Sequence, residues 1–352
     1  MRVVVIGATG NVGTSLLPFL ARDPDVDEIV GVARRAPDLE VDKTSWVTAD
    51  IGVDDLTPVV AGADAVVHLA WLIQPSHTQS LLRRTNVMGT ERILRAVAKT
   101  AVPRFVYASS IGTYAPGPPD GHRVAEDWPA TGIITSYYSR QKAAVERMLN
   151  TFEADVPGMR VVRLRPGLIF KREAASGIRR LFLGPFVPNR LLKAGTIPVM
   201  PSIEKLEFQA VHSLDVGRAY WEAVKNDAAT GAFNIAAEPT LDTERVAQLL
   251  DARTSPVAPE VVRKGMDATW KLHLQPARSG WFDMGMQTPL MDCTRAREVL
   301  GWRPEWSADD ALRDLLAGLA EGAGAPTPPL RPDAGAWQRV QEVAGGAGGW
   351  RG

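Results

Sequence analysis

The 352-residue chain predicts an α/β protein, a doubly wound parallel sheet with a smaller, discontinuous lobe. Three observations carry this. Short apolar, β-branched runs alternate with helical patterns over residues 1–167. A glycine triplet, Gly7, Gly10 and Gly13, follows the first run and opens the first helical pattern. Past Pro166 the alternation breaks up, and loop-rich stretches containing aromatic residues take over. Strands that alternate with helices imply a parallel sheet covered on both faces.

The elements follow in order. Arg2-Val3-Val4-Val5-Ile6 reads as a buried parallel strand. Gly7-Ala8-Thr9-Gly10-Asn11-Val12-Gly13 comes next, and a helical pattern starts at Ser15. Glycine permits a tight turn and a close backbone approach to a pyrophosphate, which rests on the helix N-terminus. The spacing is Gly-x-x-Gly-x-x-Gly, not the commoner Gly-x-Gly-x-x-Gly. Its strand-loop-helix placement still marks a Rossmann-type dinucleotide site, with an ordinary tight turn as the competing reading.

Glu28-Ile29-Val30-Gly31-Val32-Ala33 reads as the second strand. Its end lies about 20 residues past the loop, where an acid would hold the ribose 2′-hydroxyl of NAD. Here that position is Ala33, followed by Arg34 and Arg35. A guanidinium binds a 2′-phosphate bidentately, so the cofactor is NADP or NAD with NADP favoured. The competing reading is two solvated loop charges. Asp50 and Ile51 end the next apolar stretch and border the adenine, unless Asp50 is an ordinary loop aspartate. Further pairs are the helix 89–99 before the strand 104–109, and the helix 139–152 before the strand 160–164.

These residues resemble the extended short-chain dehydrogenase/reductase family, also described as NAD-dependent epimerases/dehydratases. Besides the glycine loop, the matches are Asp64-Ala65-Val66-Val67-His68-Leu69-Ala70, Asn86-Val87-Met88-Gly89-Thr90 and Phe105-Val106-Tyr107-Ala108-Ser109-Ser110. Tyr138 and Lys142, Arg163-Leu164-Arg165-Pro166-Gly167, Val211 to Val216, and Asp292 through Leu300-Gly301-Trp302-Arg303-Pro304 continue them in order. The coverage is about residues 1–320.

The resemblance implies hydride transfer at a secondary alcohol or ketone carbon of a small molecule, a sugar being one candidate. Tyr138 is then the general acid/base, and Lys142 holds its phenolate and the nicotinamide ribose. Ser110 hydrogen-bonds the substrate oxygen. It is chosen over Ser109 because it stands four residues before Tyr114, as the family's serine precedes its aromatic. Asn86 supports the lysine from a helix. Thr9, Val12, Leu69, Ala70 and Pro166 border the cofactor, and Trp71, at the end of the fourth strand, shapes the substrate cavity. The chemistry explains the pair. A phenol titrates near pH ~10, a nearby ammonium lowers that value, and a three-unit shift needs roughly 4 kcal/mol. Positions i and i+4 share a helix face. Tyr137 lacks a lysine at i+4.

The chain departs from the family in two places. The dehydratase branch carries an acidic pair after its serine or threonine; here the residues are Ile111 and Gly112. Nucleotide-sugar members often carry an asparagine after the sixth strand, and a glycine where Lys171 stands in Leu168-Ile169-Phe170-Lys171. Net oxidation or reduction, or half of an epimerisation that keeps NAD bound, remains. A non-catalytic cofactor sensor is a third reading, opposed by the intact Ser110/Tyr138/Lys142 set.

Composition sets the bounds. Lys+Arg and Asp+Glu are both 40, which argues against a polyanion-binding surface and hence nucleic acid. The single cysteine, Cys293, excludes an internal disulfide, and five scattered histidines (68, 77, 122, 212, 273) show no ligand spacing, so no metal is expected. His68 and His212 read as structural. No apolar run reaches membrane-spanning length, and no signal peptide is visible. The cytoplasm is the expected location, and the family resemblance implies a homodimer paired through the helices 88–99 and 139–152.

Residues 1–170 form the expected nucleotide domain, returning at about 208–238. Residues 171–207 and 239–320 form the substrate-binding lobe and closing helices, and 321–352 a flexible tail rich in Gly, Ala and Pro. Arg179, Arg180, Arg190 and Lys193 either meet an anionic substrate or are solvated. Trp270, Trp281 and Phe282 either line a pocket or fill a core.

Overall fold

A computed structural model describes residues 1–73, 79–182, 196–271 and 278–332, with residues 180–182 as backbone only. Its strands begin with β1 (Arg2–Ile6), β2 (Glu28–Ala33), β3 (Thr44–Thr48), β4 (Ala65–His68), β5 (Arg104–Ala108) and β6 (Arg160–Pro166). Then come β7 (Leu168–Phe170), β8 (Val199–Ser202), β9 (Glu207–Phe208), β10 (Ala210–His212), β11 (Gly231–Ile235), β12 (Leu241–Asp242) and β13 (Arg253–Pro256). The first six helices are α1 (Asn11–Arg22), α2 (Thr57–Val60), α3 (Gln79–Arg83), α4 (Gly89–Lys99), α5 (Tyr137–Asp155) and α6 (Ala175–Phe182). They are followed by α7 (Ser213–Lys225), α8 (Thr243–Leu249), α9 (Pro259–Lys271), α10 (Gly280–Gln287), α11 (Thr294–Val299) and α12 (Ala308–Glu321).

The main sheet runs β11-β6-β5-β4-β1-β2-β3, and every pairing is parallel. The order reverses between β1 and β4, and a crevice opens there beyond the carboxyl ends of the strands. Val3, Val4, Val5 and Ile6 are all buried, as a sheet covered on both faces requires.

On one face, Leu16, Leu17 and Leu20 of α1 pack with Val216, Ala219 and Tyr220 of α7 and with Trp302. The two helices touch backbone to backbone: a Cβ on Gly217 would lie 2.6 Å from the Ser15 carbonyl oxygen. On the other face, Ile93, Leu94 and Val97 of α4 meet Val145 and Leu149 of α5. Truncating one such leucine to alanine costs about 2–5 kcal/mol.

The smaller lobe has its own core. Phe170, Ala210 and Leu241 pack against Leu312, Leu315 and Leu319 of α12. Here β7 and β10 pair in parallel, apart from the main sheet.

The segment after α12 corrects the expected flexible tail over residues 321–332. Gly322, at φ +69°, ends the helix, and the chain turns back with the Ala325 amide donating to the Leu330 carbonyl at 2.7 Å. Thr327 and Leu330 are buried. Composition suggested disorder because proline and glycine dominate; one leucine and one threonine find partners on the folded body. Residues 333–352 lie outside the described residues. Among the described residues no helix is long and apolar enough to cross a membrane.

Candidate active site

The glycine loop lies at the mouth of the crevice. Gly7 adopts φ +91°, and a Cβ there would lie 2.6 Å from the Ala70 amide nitrogen; one on Gly13 would lie 2.5 Å from the Ala8 carbonyl oxygen. Both glycines are required by the protein's own packing. Gly10 is different: a Cβ there would meet nothing nearer than the Gly7 carbonyl oxygen at 3.4 Å. Internal packing therefore does not require glycine at that position. Gly10 caps α1, whose first turn carries no acid and whose leading N–H groups suit an anion. The Asn11 side-chain oxygen is buried without a partner, and its amide nitrogen donates to the Ile169 carbonyl at 3.3 Å. The loop therefore fits a dinucleotide.

Two residues that sequence reasoning did not place at this loop hold it. Lys171 is buried, and its ammonium donates to the Asn11 carbonyl at 2.9 Å, to Thr14 Oγ1 at 2.6 Å and to Ser15 Oγ at 3.1 Å. Burial pushes its pKa down to about 8. Lys171 was visible only as a departure from a glycine. Thr327, from the segment after α12, donates to the Thr9 carbonyl at 2.9 Å, and the Asp38 amide donates to the Pro326 carbonyl at 3.1 Å. No sequence signal joins positions 318 residues apart.

At the end of β2, Arg34 and Arg35 follow Ala33 on the surface. Burial lowers the Arg34 pKa, with the Asp50 carboxylate acting in the opposite sense. Asp50 Oδ1 accepts from the Gly52 amide at 2.7 Å. The Ile51 side chain is core instead of crevice lining, set against Gly89 of α4. Leu69, whose amide donates to the Ile6 carbonyl at 2.7 Å, and Ala70 lead from β4 into Trp71. Pro166 ends β6.

The catalytic candidates converge from β5 and α5. Ser110 starts a short turn, its hydroxyl accepting from the Gly112 amide at 3.0 Å. Ser136 caps α5 by accepting from the Ser139 amide, which sets Tyr138 and Lys142 on the first two turns. Tyr138 is 8% and Lys142 2% exposed. Burial pushes Tyr138 up to about 12, and its hydrogen bond with Ser110 pulls it partway back. The sequence-based expectation of a lowered phenol is corrected here. The Lys142 ammonium donates to the Ala108 carbonyl at 2.6 Å and lies 5.9 Å from the Tyr138 ring centre. Burial also holds Lys142 well below its usual value. With neither group solvated, Tyr138 keeps its proton.

Ser109 and Ser110 part company. The Ser109 hydroxyl donates to Glu146 at 2.6 Å. Asn86 also differs from expectation. It sits in a π-helical turn (Arg84–Met88) and spends its side chain on Leu72 and Gln141, not on Lys142. It fixes the loop that carries Trp71.

Aromatic rings surround the pair. The Lys142 ammonium lies 3.6 Å from the Trp71 ring centre, a cation–π contact. Tyr138 meets Trp71 edge-on at 6.1 Å and Trp281 at 5.0 Å. α10 delivers Trp281 and Met284, and its Gly280 lets it close on Thr135, where a Cβ would lie 2.3 Å from the carbonyl oxygen. A Cβ on Gly112 would already lie 3.0 Å from both Met284 Sδ and the Tyr138 ring, so the acid of a dehydratase has no room there. Trp270 instead stacks with Arg278.

Below lies a buried charge network. Glu146, one turn past Lys142, accepts two hydrogen bonds from Arg165 at 2.9 and 3.0 Å and one from Arg163 at 3.2 Å. Burial is the largest single influence on its carboxyl and pushes the pKa up, but the hydrogen bonds and charges of the guanidinium groups, with the Ser109 hydrogen bond, together outweigh it and hold the pKa below the usual value. Arg165 also donates to Tyr114, whose hydroxyl donates to Asn234 at 2.6 Å. The i, i+4, i+8 spacing of Tyr138, Lys142 and Glu146, and the period-two pair Arg163/Arg165, were the available signals.

His68 bonds Thr90 at 2.9 Å, and His212 accepts from the Leu214 amide at 3.2 Å. Arg179 is buried. The Arg180 side chain, Arg190, Lys193, His77 and His273 lie outside the described residues.

Known proteins share this fold. The NAD dependent epimerase/dehydratase family matches residues 3–236. An uncharacterized protein of Mycobacterium tuberculosis (strain H37Rv) is 30% identical over 320 residues, covering 90% of this chain and 30% of that protein. The chain thus spans under a third of the length of the relatives it matches first. A 3 beta-hydroxysteroid dehydrogenase/Delta 5-->4-isomerase of the same organism is 27% identical over 353 residues, covering 90% of this chain and 89% of that one. Among solved structures, MoeE5 with UDP-glucuronic acid and NAD superposes with a TM-score of 0.69 at 23% identity, covering 91% and 99%. The UDP-glucose 4-epimerase of Thermus thermophilus, in complex with NAD, gives 0.66 at 21% identity, covering 91% and 99%. By its motifs, its sheet and the family match over residues 3–236, the chain belongs to the NAD dependent epimerase/dehydratase family.

Proposed function

We propose that the chain is a nicotinamide-dinucleotide-dependent oxidoreductase acting at a secondary alcohol or ketone carbon of a small molecule. The observation that carries this is the convergence of Ser110, Tyr138 and Lys142 at the crevice that the glycine loop opens. Gly7 to Gly13, Leu69, Ala70 and Lys142 would hold the cofactor, which supplies or accepts the hydride when bound. Ser110 orients the substrate oxygen. Tyr138 Oη, protonated across the neutral range, gives a proton to a ketone oxygen; in the reverse direction it takes the alcohol's proton only after losing its own to solvent, which its raised pKa confines to alkaline pH. Lys142 steadies the charge that forms on that oxygen.

Arg34 and Arg35 favour NADP over NAD, whereas the two neighbours named above are complexes with NAD. An epimerase that retains NAD is the second reading, favoured by the relatedness of those neighbours. We place the protein in the cytoplasm as a homodimer through α4 and α5, and a light-scattering mass of one 38.1 kDa chain would refute the dimer.

The test has two parts. Tyr138→Phe is expected to cut turnover by about 10²–10⁴-fold while leaving cofactor affinity unchanged; turnover that survives rules out the assignment. Nucleotide extracted from fresh protein distinguishes the readings. Retained NAD marks the epimerase, and an empty protein that prefers NADPH marks the reductase.

A further inference from the structure

Lys171 is a buried cation at the positive end of a helix. It is 6% exposed, and its ammonium sits against the first turn of α1. Its three partners there, the Asn11 carbonyl, Thr14 Oγ1 and Ser15 Oγ, are all neutral oxygens. Ser213 of α7, which closes the cluster with its hydroxyl 2.9 Å from Ser15 Oγ, is neutral too. The carboxylates that favour the ammonium are Glu173, two residues on, and Asp314 of α12. Asp314 is engaged elsewhere, accepting from the Arg172 amide at 2.8 Å and lying 3.2 Å from His212 Nε2. The Arg172 side chain turns to Glu321.

A cation held there opposes the helix dipole and has lost its water. Both costs fall when an anion rests on the N-terminal side of the same turn. Two routes carry the charge to that side. The ammonium polarises the Asn11–Val12 peptide through the Asn11 carbonyl. It polarises the Gly10–Asn11 peptide through Thr14 Oγ1, which donates to the Gly10 carbonyl at 2.9 Å. The N–H groups of these two peptides lead the helix. We propose that Lys171 is a positioning residue for the pyrophosphate: its ammonium, set behind the glycine loop, strengthens the leading amides of α1 as donors, so that the dinucleotide binds tightly to the protonated form and weakly to the neutral one. This rests on the dinucleotide-dependent reading above. Burial brings the Lys171 pKa down to about 8, so the change falls just above neutrality. An anion on the loop favours the ammonium and raises that pKa on binding. Affinity is therefore full below pH ~8 and falls as pH rises through it, by up to about tenfold per unit, until the bound form also loses its proton.

The full chain, emptied of nucleotide, is titrated calorimetrically with ADP, NADH and NADPH across the alkaline range, with thermal scans to show that it stays folded. ADP carries the diphosphate without the nicotinamide half, so Lys142 and Tyr138 do not enter its profile. Its terminal phosphate has a second pKa near ~6 and is fully ionised above pH ~7.5. The wild-type Kd for ADP is expected to rise about tenfold between pH ~7.5 and ~9.5. Lys171→Met is expected to bind about tenfold more weakly than wild type at pH ~7.5 and to show no slope. Thr327→Val removes a neutral tie to the same loop and should keep the wild-type slope. A flat wild-type profile overturns the inference without need of any variant. So does a slope that survives in Lys171→Met or vanishes in Thr327→Val, because the charge of Lys171 is then not its source. ADP that fails to bind where NADH or NADPH binds also overturns the inference alone, since the pyrophosphate then supplies too little of the affinity. Failure of all three ligands to bind the wild type overturns the dinucleotide-dependent reading and this inference together.

Discussion

The two ends of the crevice are built on opposite plans. At the glycine-loop end the protein removes side chains: Gly7 and Gly13 let backbone pack on backbone, Gly10 leaves the loop open, and Lys171 and Thr327 tie that backbone from behind. At the catalytic end it crowds side chains in: Trp71, Tyr137, Trp281 and Met284 enclose Tyr138, and a buried carboxylate with two guanidinium groups braces the floor. The first plan suits a ligand read through its phosphates. The second strips water from one hydroxyl and one ammonium, which sets their protonation. The glycine end is thus shaped by backbone, and the Tyr138 end by desolvation.

The largest expected effect is at the catalytic floor. Glu146→Ala leaves Arg163 and Arg165 buried without their shared carboxylate and should cost about 3–5 kcal/mol in urea unfolding. A cost below about 1 kcal/mol would mean that the network is not structural. At the other end, the glycines should separate two roles. Gly7→Ala, with a left-handed φ and a backbone clash, should lower stability by about 1–3 kcal/mol. Gly10→Ala should leave the melting temperature nearly unchanged and weaken dinucleotide binding by at least about tenfold. Equal melting points for both variants would erase that distinction.

His68 sharpens the contrast through pH. Burial first, and the Lys142 ammonium second, push its pKa down to about 3. The unfolded chain then binds a proton that the folded one refuses, so stability is full above pH ~6.5 and is lost as pH falls towards 3, at up to about 1.4 kcal/mol per unit. Thermal scans of the wild type and His68→Leu should show a shallower acid slope in the variant; parallel slopes would assign acid loss elsewhere. The smallest effect is Thr327→Val, which removes one hydrogen bond to Thr9 and should cost about 1 kcal/mol, read as a shift in the denaturation midpoint. No change would make the returning segment passive at the loop.

Local periodicity and spacing made much of the molecule legible. β1, α1, α4, α5 and β6 have their reasons in contiguous residues, and so does the i, i+4 relation of Tyr138 to Lys142. Glycine chemistry placed the turn between β1 and α1 by the same means. Family order along the chain added Ser110 and Trp71, which sit on different elements.

Only the tertiary structure decided what depends on distant partners. It turned the phenol upward, because burial acts on Tyr138 while the Lys142 ammonium is engaged by Ala108. It gave Asn86 to Leu72 and Gln141, Ile51 to the core, and the segment around Thr327 to the glycine loop. Sequence by itself determined the sheet, the loop and the adjacency of Tyr138 and Lys142 on one helix face, because each arises within a few turns of chain. The electrostatics of that pair and the walls around it were fixed by packing, because desolvation and long-range hydrogen bonds exist only after residues far apart in the chain have met.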